Sequence, residues 1–382
     1  MCWSRGGPSG PPTDPGRNRV ATLGVEAPGK ARGHHEPRGR TPALWRTGDV
    51  IRQITVIGAG SWGTALAVHL ARAGHEARLW ARDPAFAAEL RERRANAVYL
   101  PDITFPDPLL VMDDLQEALR GAGLVVWAVP THGTREILRC AAPHVRAGAT
   151  MVSATKGLEQ DTLLRVSEIL EAELGGGRRV AVLSGPSFAM EMARELPTAV
   201  SVASRDAAVV EEVQAEFRAP YFRLYGTTDV VGVEMGGALK NVIAIAAGVV
   251  EGLGLGHNAL AGLITRGLAE MSRLACAAGA NRETLAGLTG LGDLVLTCTG
   301  TLSRNRHVGM ELARGRSLSD VLAGMKMVAE GVRTTDAALA LAGRHGVELP
   351  IAAQVAELLA GRKDARTALY ELMLRPQRAE AG

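Results

Sequence analysis

Three glycines at a fixed spacing separate an apolar run from an alanine-rich run early in this chain. The apolar run Ile51–Ile57 predicts a β-strand, and Ser61–Ala73 predicts the helix that follows it. Between them lies Gly58-Ala-Gly60-Ser-Trp-Gly63. Its first glycine permits a tight turn, the second lets a pyrophosphate approach the backbone, and the third brings the helix close to the strand. The helix N-terminus favours the anion, and Ser61 and Trp62 can add contacts, so the segment predicts a dinucleotide-binding site.

Short apolar runs alternate with helical patterns as far as residue 229. Further strands are predicted at Ala77–Trp80, Leu124–Val129, Thr150–Ala154, Val180–Leu183, Thr198–Ala203 and Tyr221–Tyr225, and further helices at Pro84–Ala97, Arg135–Ala142 and Thr162–Leu174. Strands that alternate with helices are typical of a parallel sheet covered on both faces. We therefore expect an α/β fold with a Rossmann-like, doubly wound, mostly parallel sheet.

From about Val230 the pattern changes to helical spacing alone. Helices are predicted at Val233–Glu251, Ala259–Gly279, Leu318–Gly324, Thr335–His345, Ile351–Ala360 and Ala365–Leu374. Residues 1–49 are instead rich in Gly, Pro and Arg, and burial cannot offset the entropy of ordering such a segment. We expect a disordered basic extension at 1–49, a dinucleotide-binding Rossmann domain at 50–229, and an all-α substrate-binding domain at 230–382.

Composition argues against several classes of partner. The 43 basic and 40 acidic side chains nearly balance, the basic excess lies in residues 1–52, and only 4% of residues are aromatic, so we expect no nucleic-acid-binding surface. The apolar runs are shorter than the roughly 20 residues of a membrane span, and the N-terminus lacks the apolar core of a secretory signal. Four cysteines without a CxxC pair fit a reducing compartment, and no histidine has metal-ligand spacing. We expect a cytoplasmic protein without a metal ion or a membrane span.

The second predicted strand ends in Trp80-Ala-Arg82-Asp83, where dinucleotide sites meet the adenosine ribose. NAD-specific sites usually place an acid there, whereas Arg82 can stack on adenine or pair with the 2′-phosphate of NADP. Arg82 can equally be a solvated cation at a strand end, and Asp83 leaves the preference open. We expect NADP or NAD as the cofactor.

Two polar segments follow predicted strands, at the edge where open α/β sheets bind ligands. In Ser153–Glu159, Lys156 can neutralise a phosphate or lie near the nicotinamide, unless it is an ordinary surface lysine. In Ser184–Ala189, a Gly-Pro turn exposes backbone amides and the Ser187 hydroxyl, unless the turn is only structural. Both segments are therefore candidates for contacts with a phosphorylated ligand.

Lys240 lies beside Asn241 in an otherwise apolar helical segment. Burying an ammonium group is costly and lowers its pKa toward neutrality, which suits a general acid or base. Hydride transfer to or from an alcohol carbon needs such a group for the hydroxyl proton. Lys240 is the candidate, with Asn241 orienting it or the substrate, and a snorkelling lysine at a helix end is the alternative.

A carboxylate, a hydroxyl, a guanidinium and an amide lie close together in sequence between Gly290 and Arg306. They belong to Gly290-Leu-Gly-Asp293-Leu-Val-Leu-Thr-Cys-Thr and to Ser303-Arg304-Asn305-Arg306, and glycine-rich bends are expected around them. Such groups suit a small ligand that carries both phosphate and hydroxyl groups.

With these segments in order, the chain resembles the bacterial NAD(P)-dependent glycerol-3-phosphate dehydrogenase family over roughly residues 53–375. The resemblance rests on the motifs at 56–67, 154–159 (Ala-Thr-Lys-Gly-Leu-Glu), 184–189 (Ser-Gly-Pro-Ser-Phe-Ala), 237–245, 263–271, 290–299, 303–306 and 328–331. Residues 1–49 have no counterpart in the family.

The resemblance implies a reversible reaction in which sn-glycerol 3-phosphate and NAD(P)+ give dihydroxyacetone phosphate and NAD(P)H, with NADPH used in the reducing direction. It implies that Lys240 is the proton donor or acceptor. The substrate site it implies comprises Lys156, Gly185, Ser187, Lys240, Asp293, Ser303, Arg304 and Asn305. The cofactor site comprises Gly58, Gly60, Ser61, Trp62, Gly63, Arg82, Lys156, Ala189, Arg304, Val328 and Glu330. The product would feed glycerophospholipid synthesis, and whether Arg304 serves the substrate phosphate, the cofactor or both stays open.

Two alternative functions are considered, one a related enzyme and the other a protein without catalytic activity. A 3-hydroxyacid or 6-phosphogluconate-type dehydrogenase shares the sheet, the helical second domain and a helix-borne lysine, but the segments at 290–293 and 303–306 argue against it. A non-catalytic NADP-sensing module would have lost the chemistry, and the presence of Lys240, Asn241 and Asp293 argues against that. The expected partner is a small-molecule substrate, and a homodimer is allowed for.

Overall fold

The computed structural model describes residues 52–325, 327–377 and 379, so the extension expected at residues 1–49 lies outside the described residues. The strands in this part of the chain are β1 (Gln53–Ile57), β2 (Glu76–Trp80), β3 (Ala95–Asn96), β4 (Leu100–Thr104), β5 (Leu110–Met112), β6 (Leu124–Trp127), β7 (Thr150–Ser153), β8 (Arg179–Ser184), β9 (Thr198–Ala203) and β10 (Phe222–Thr227).

Eight of these strands form one sheet in the order β10-β9-β8-β7-β6-β1-β2-β5. Neighbouring strands run parallel except β8 and β9, which pair antiparallel, while β3 and β4 form a separate antiparallel pair. The predicted mostly parallel, Rossmann-like sheet is confirmed. The carboxyl ends of β1, β2, β7 and β8 lead into the glycine loop, Arg82-Asp83, Ser153–Glu159 and Ser184–Ala189, which the sequence singled out in this half of the chain.

The central strands are apolar on both faces because helices cover both sides of the sheet. Val56 of β1 packs into the same buried cluster as Leu66, whereas the next residue, Ile57, belongs to the cluster on the other face with Trp127 and Leu138. Alternate residues of a strand point to opposite faces, so consecutive apolar residues are needed to bury both. This is why these strands read as continuous apolar runs.

Within the described residues, every regular element after β10 is helical, as the sequence predicts. The helices of the described chain are α1 (Ser61–Arg72), α2 (Pro84–Arg93), α3 (Leu115–Leu119), α4 (Thr131–Ala141), α5 (Val166–Leu174), α6 (Ala189–Ala193), α7 (Ala207–Glu216), α8 (Val230–Gly252), α9 (Gly256–Ala277), α10 (Arg282–Ala286), α11 (Asp293–Thr299), α12 (Arg304–Ala313), α13 (Leu318–Ala323), α14 (Glu330–His345), α15 (Pro350–Leu359) and α16 (Ala365–Met373). The assignment of residues 50–229 and 230–382 to two separate domains stays a prediction.

The long helix α8 is the core of this helical region. It is apolar and long enough to cross a bilayer, but 83% of its apolar window is buried inside the described protein, which is the environment of a core helix. A Cβ on Gly248 would collide with the carbonyl oxygen of Arg306, and one on Gly309 would collide with that of Ile245. Glycine at both positions therefore lets α12 approach the backbone of α8, and this brings the first residues of α12 close to Lys240.

A buried ion pair joins α8 to the start of α5. The Glu234 carboxylate accepts hydrogen bonds from the Arg165 guanidinium and from the backbone N–H of Ser167, the latter at 2.8 Å. Both charged side chains are buried, and removing one partner of such a pair costs about 3–5 kcal/mol. The pair holds α8, six residues before Lys240, against the segment that follows β7.

Several predicted boundaries are wrong for identifiable reasons. The helix predicted at Pro84–Ala97 ends at Arg93, because Arg94 adopts a left-handed conformation (φ 49°) and Ala95 pairs with Thr104. The helix predicted to start at Thr162 starts at Val166, where Glu168 accepts from the backbone N–H of Arg165. No helix is predicted at α3, α6, α7, α10, α11 or α12, and no strand at β3, β4 or β5.

Candidate active site

The glycine loop after β1 has the shape that a dinucleotide pyrophosphate requires. Gly58 has a φ of 111°, and a Cβ there would lie 2.7 Å from the carbonyl oxygen of Ala128 at the end of β6. A Cβ on Gly63 would collide with the carbonyl oxygen of Gly58, so both positions need glycine. No atom lies within 4 Å of a Cβ built on Gly60, which leaves open space at the N-terminus of α1. These residues fit a dinucleotide at the expected place.

The two residues that open α1 have unusual polar surroundings. The Trp62 Nε1 is buried and has no hydrogen-bond partner among the described residues. The Ser61 hydroxyl donates to the Met327 sulfur at 3.1 Å, which brings the segment before α14 next to the glycine loop. Val328 lies in that segment with its side chain 37% exposed, so the segment lines the loop from the helical region.

Lys156 follows β7 and reaches both neighbouring parts of the chain. Its Nζ donates to the carbonyl oxygen of Gly185 at 3.0 Å and to Oδ2 of Asp293 at 2.7 Å. Gly185 follows β8, and its carbonyl also accepts from the Ser187 hydroxyl at 2.9 Å. The carboxyl edge of the sheet and the helical region thus meet at the Lys156 ammonium.

Lys240 of α8 binds the other oxygen of the same carboxylate. Its Nζ donates to Oδ1 of Asp293 at 2.5 Å and to the Thr297 hydroxyl at 2.7 Å. The Thr297 hydroxyl in turn donates to the backbone carbonyl of Asp293 at 2.6 Å. The side chains of Lys240 and Asp293 are only 8% and 1% exposed, so these charges interact with little screening by water.

The surroundings of Lys240 bring its pKa close to neutrality. Burial is the largest cause and lowers the pKa to about 7, and the nearby Lys156 charge also lowers it. The Asp293 carboxylate opposes both effects because it stabilises the ammonium form. Lys240 can therefore give up or take a proton near neutral pH, as a general acid or base must.

A chain of side-chain amides joins three helices beside Lys240. Asn305 of α12 donates from Nδ2 to Oδ1 of Asn241 at 2.9 Å, and its own Oδ1 accepts from the backbone N–H of Gly331 at 2.9 Å. The Ser303 hydroxyl accepts from the backbone N–H of Arg306 at 3.3 Å and so caps α12. The two hydrogen bonds fix the side chain of Asn305. The Ser303 hydroxyl is used by the backbone of its own helix.

Arg304 and Glu330 face each other at the starts of α12 and α14. Desolvation by the surrounding protein lowers the pKa of the Arg304 guanidinium, and the Glu330 charge raises it. The Arg304 side chain is nevertheless exposed to solvent. Burial raises the pKa of Glu330, while the backbone N–H of Thr131 at the start of α4 and the Arg304 charge oppose it. Arg304 is exposed at the start of α12, where a bound anion would interact with its guanidinium.

The predicted site residues divide into a connected group and a dispersed group. Lys156, Gly185, Ser187, Lys240 and Asp293 form one hydrogen-bonded network, and Asn305 adjoins it through Asn241. The glycine loop with Ser61 and Trp62 lies at the end of β1, and Ala189 begins α6. Arg82 follows β2, and its exposed side chain has no partner among the described residues. The glycine-rich bends expected around Asp293 are instead a helical turn at Leu288–Gly292 that continues into α11.

Sequence reasoning missed Thr297 and Thr131. Thr297 lies four residues after Asp293, a spacing that places both on one face of a helix, so recognising α11 would have found it. Thr131 lowers the pKa of Glu330 through its backbone N–H, and a backbone contact of this kind leaves no signal in the residue type. The buried hydroxyls of Ser153 and Ser184, at the ends of β7 and β8, also lack partners among the described residues.

Comparison with known proteins gives consistent matches over the described chain. Residues 53–210 match the family described as NAD-dependent glycerol-3-phosphate dehydrogenase N-terminus, and residues 229–370 match its C-terminus. A relative from Geobacter sp. (strain M21), named glycerol-3-phosphate dehydrogenase [NAD(P)+], is 52% identical over 330 residues, covering 86% of this chain and 98% of that protein. A relative of the same name from Koribacter versatilis is 52% identical over 332 residues, covering 86% and 98%. The solved structure of glycerol-3-phosphate dehydrogenase from Coxiella burnetii is 41% identical with a TM-score of 0.82, covering 85% of this chain and 99% of that chain.

The charge state of Lys240 can be measured by its reactivity, since only the neutral amine is acylated. We expect the rate of modification by acetic anhydride, followed by peptide mass spectrometry, to rise with a midpoint near pH 7 because burial lowers the pKa to about 7. Thr297→Val removes an acceptor of the ammonium group and should move the midpoint lower. Thr299→Val, on the exposed side of the same helix, is the matched control and should leave the midpoint unchanged. A wild-type midpoint near the ordinary lysine value of about 10.4 would contradict the expectation.

Proposed function

Because the chain belongs to the NAD-dependent glycerol-3-phosphate dehydrogenase family, we propose that it interconverts sn-glycerol 3-phosphate and dihydroxyacetone phosphate with NAD or NADP, using Lys240 as general acid and base. The observation that best supports the proposal is the Asp293 carboxylate between the Lys156 and Lys240 ammonium groups. When both lysines are protonated, this cluster carries one net positive charge next to the sheet edge where a dinucleotide fits. Such a charge suits an oxygen that becomes negative during hydride transfer.

When bound, the nicotinamide coenzyme supplies and accepts the hydride. The chain binds the pyrophosphate at the N-terminus of α1, where Gly60 leaves the backbone accessible. Lys156 and Gly185, at the ends of β7 and β8, lie at the same sheet edge and would contact the bound coenzyme and substrate there. Their contacts with Asp293 fix this border relative to Lys240.

The proton moves through Lys240 in both directions of the reaction. In ketone reduction, the carbonyl carbon receives the hydride and the carbonyl oxygen takes a proton from the Lys240 ammonium, leaving a neutral amine. In alcohol oxidation, the neutral amine takes the hydroxyl proton as the hydride leaves the carbon. A pKa of about 7 lets Lys240 serve both directions near neutral pH. Lys156, which binds the same carboxylate as Lys240, is proposed to stabilise the charge on the oxygen.

We place the substrate phosphate at Arg304, the first residue of α12. Its guanidinium can form two parallel hydrogen bonds to a phosphate, and the start of a ten-residue helix favours an anion. Asn305 is held next to it by Asn241 and Gly331, within reach of a neighbouring substrate hydroxyl. The Arg304 side chain is exposed, so a phosphate has access to its guanidinium.

We further propose that the reaction runs toward sn-glycerol 3-phosphate in the cytoplasm and supplies glycerophospholipid synthesis. Cys140, Cys276 and Cys298 are free thiols, which fits a reducing compartment. A second copy of the chain is not needed to complete the Lys156–Asp293–Lys240 cluster, so a homodimer would leave the proposed chemistry within each chain.

Replacing Lys240 tests the proton role. In Lys240→Met we expect kcat/KM for dihydroxyacetone phosphate to fall by about 10²- to 10⁴-fold, because a general acid contributes a factor of that order. Coenzyme binding, measured by fluorescence, should change little. Lys363→Met is the matched control, since Lys363 pairs with Glu371 at the surface. Turnover in Lys240→Met within a few-fold of wild type would show that another group transfers the proton.

Replacing Arg304 tests the position of the phosphate. Arg304→Gln should lower kcat/KM for dihydroxyacetone phosphate by about 10- to 100-fold through lost charge-assisted hydrogen bonds. The same variant should leave kcat/KM for unphosphorylated dihydroxyacetone unchanged. Arg314→Gln, at the other end of α12, is the control. An equal loss with both ketones would assign Arg304 to the coenzyme instead.

A further inference from the structure

Lys156 lies in a loop that closes on itself between β7 and α5. Residues 154–165 form this segment, which we call the Lys156 loop. Leu158 pairs with Arg165 in an antiparallel bridge across the loop. Because Leu158 is only two residues from Lys156, the position of Arg165 at the end of the loop restricts the position of Lys156 near its start.

The end of the loop is anchored to α8 by one buried carboxylate. The Glu234 carboxylate accepts from the backbone N–H of Ser167 at 2.8 Å, from the Ser167 hydroxyl and from the Arg165 guanidinium. All three side chains are buried. The carboxylate therefore binds both the last residue of the loop and the first turn of α5, where the helix dipole also favours a negative charge.

The stem of the Lys156 side chain crosses the same helix one turn after Glu234. A Cβ on Gly237 would lie 3.4 Å from Cγ of Lys156. Gly237 is three residues after Glu234 and three residues before Lys240, so the crossing point lies one helical turn from each of them. The missing side chain at Gly237 lets Lys156 lie against α8 on its way to the Asp293 carboxylate.

The other contacts of the Lys156 loop leave its position along α8 to this anchor. The Arg135 guanidinium donates to both carboxylate oxygens of Glu159 at 2.8 and 2.6 Å, which joins the loop to α4 rather than to α8. Leu158 lies in the same buried cluster as Leu239 of α8, but apolar packing is not directional. The hydrogen bonds and charges of the anchor are directional, so they fix where the loop sits on the helix.

We propose that Glu234 and Arg165 are positioning residues, which hold the Lys156 loop on α8 so that the Lys156 ammonium stays on Asp293 beside Lys240. The inference rests on the proposed dehydrogenase function and adds to it two residues outside the Lys156–Asp293–Lys240 cluster. In that function Lys156 stabilises the charge on the substrate oxygen. A displacement of the loop by about 1 Å would therefore weaken catalysis although every group of the cluster is still present.

The protonation of Lys240 reports the position of Lys156. The Lys156 charge lowers the pKa of Lys240, and the Asp293 charge raises it. In Glu234→Gln we expect the midpoint of Lys240 modification by acetic anhydride to rise by about 0.5 to 1 pH unit, because Lys156 moves away. Loss of the Glu234 negative charge by itself could only lower the midpoint, so a rise reports the displacement of Lys156.

A second background separates this role from a general loosening of the structure. Lys156→Met should itself raise the midpoint, and adding Glu234→Gln to it should change the midpoint by less than about 0.2 pH unit, since the group that moves is gone. Glu270→Gln is the matched control. Glu270 is also a buried carboxylate that accepts from a helix N-terminus, at 2.7 Å from the backbone nitrogen of Ile351, and its replacement should leave the midpoint unchanged.

Kinetics give an independent measurement on variants that circular dichroism shows to be folded. We expect kcat/KM for dihydroxyacetone phosphate to fall about 10-fold in Glu234→Gln and about 3-fold in Glu234→Asp, with a smaller rise of the midpoint in Glu234→Asp. The aspartate keeps the charge and draws the anchor back by one methylene group, so it tests the proposal even if Glu234→Gln does not fold.

An unchanged midpoint in the folded Glu234 variants would overturn the proposal, and so would an equal rise with and without Lys156. Failure of wild type to reduce dihydroxyacetone phosphate with either coenzyme would instead overturn the proposed function. The two failures are distinguishable because acetylation of Lys240 is measured without substrate or coenzyme.

Discussion

One buried carboxylate, that of Asp293, holds two ammonium groups in the place where the proposed chemistry happens. Its two oxygens bind Lys156 and Lys240 separately, so a single side chain sets the distance between a lysine on the sheet edge and a lysine on the core helix. Without the carboxylate, two like charges would be buried close together, which is strongly unfavourable. With it, the two ammonium groups are held together, and in the proposed reaction the cluster offers one positive charge to the substrate oxygen when both lysines are protonated.

The rest of the fold supplies the three elements that meet at Asp293. Glycines let α12 pack against the backbone of α8, and the Arg165–Glu234 ion pair fixes α8 against the chain that follows β7. Lys156 reaches the carbonyl of Gly185 because β7 and β8 are parallel neighbours whose ends lie at one edge of the sheet, and α11 brings Asp293 to the same ammonium group. Sheet topology and helix packing therefore set the distances between the charged groups of Lys156, Lys240 and Asp293.

Sequence patterns predicted the sheet and the polar segments, but not which side chains of those segments contact one another. The glycine loop and the continuous apolar strands are local signals, so β1, β2 and β6 were found with small boundary errors. Asp293–Thr299 was missed as a helix because it is seven residues long and lies between glycines, and this concealed the contact of Thr297 with Lys240. The pairing of Glu234 with Arg165 spans 69 positions, and no local pattern predicts such a contact.

The pH dependence of kcat/KM for dihydroxyacetone phosphate, in wild type and in Asp293→Asn, tests the coupling of Asp293 to Lys240 most directly. Lys240 must be protonated to act as an acid, so wild-type activity should fall as the pH rises through about 7. The Asp293 charge raises the pKa of Lys240, so its removal should move this fall to lower pH while coenzyme binding persists. An unchanged profile in the variant, or a wild-type fall only near the ordinary lysine pKa of about 10.4, would contradict the account.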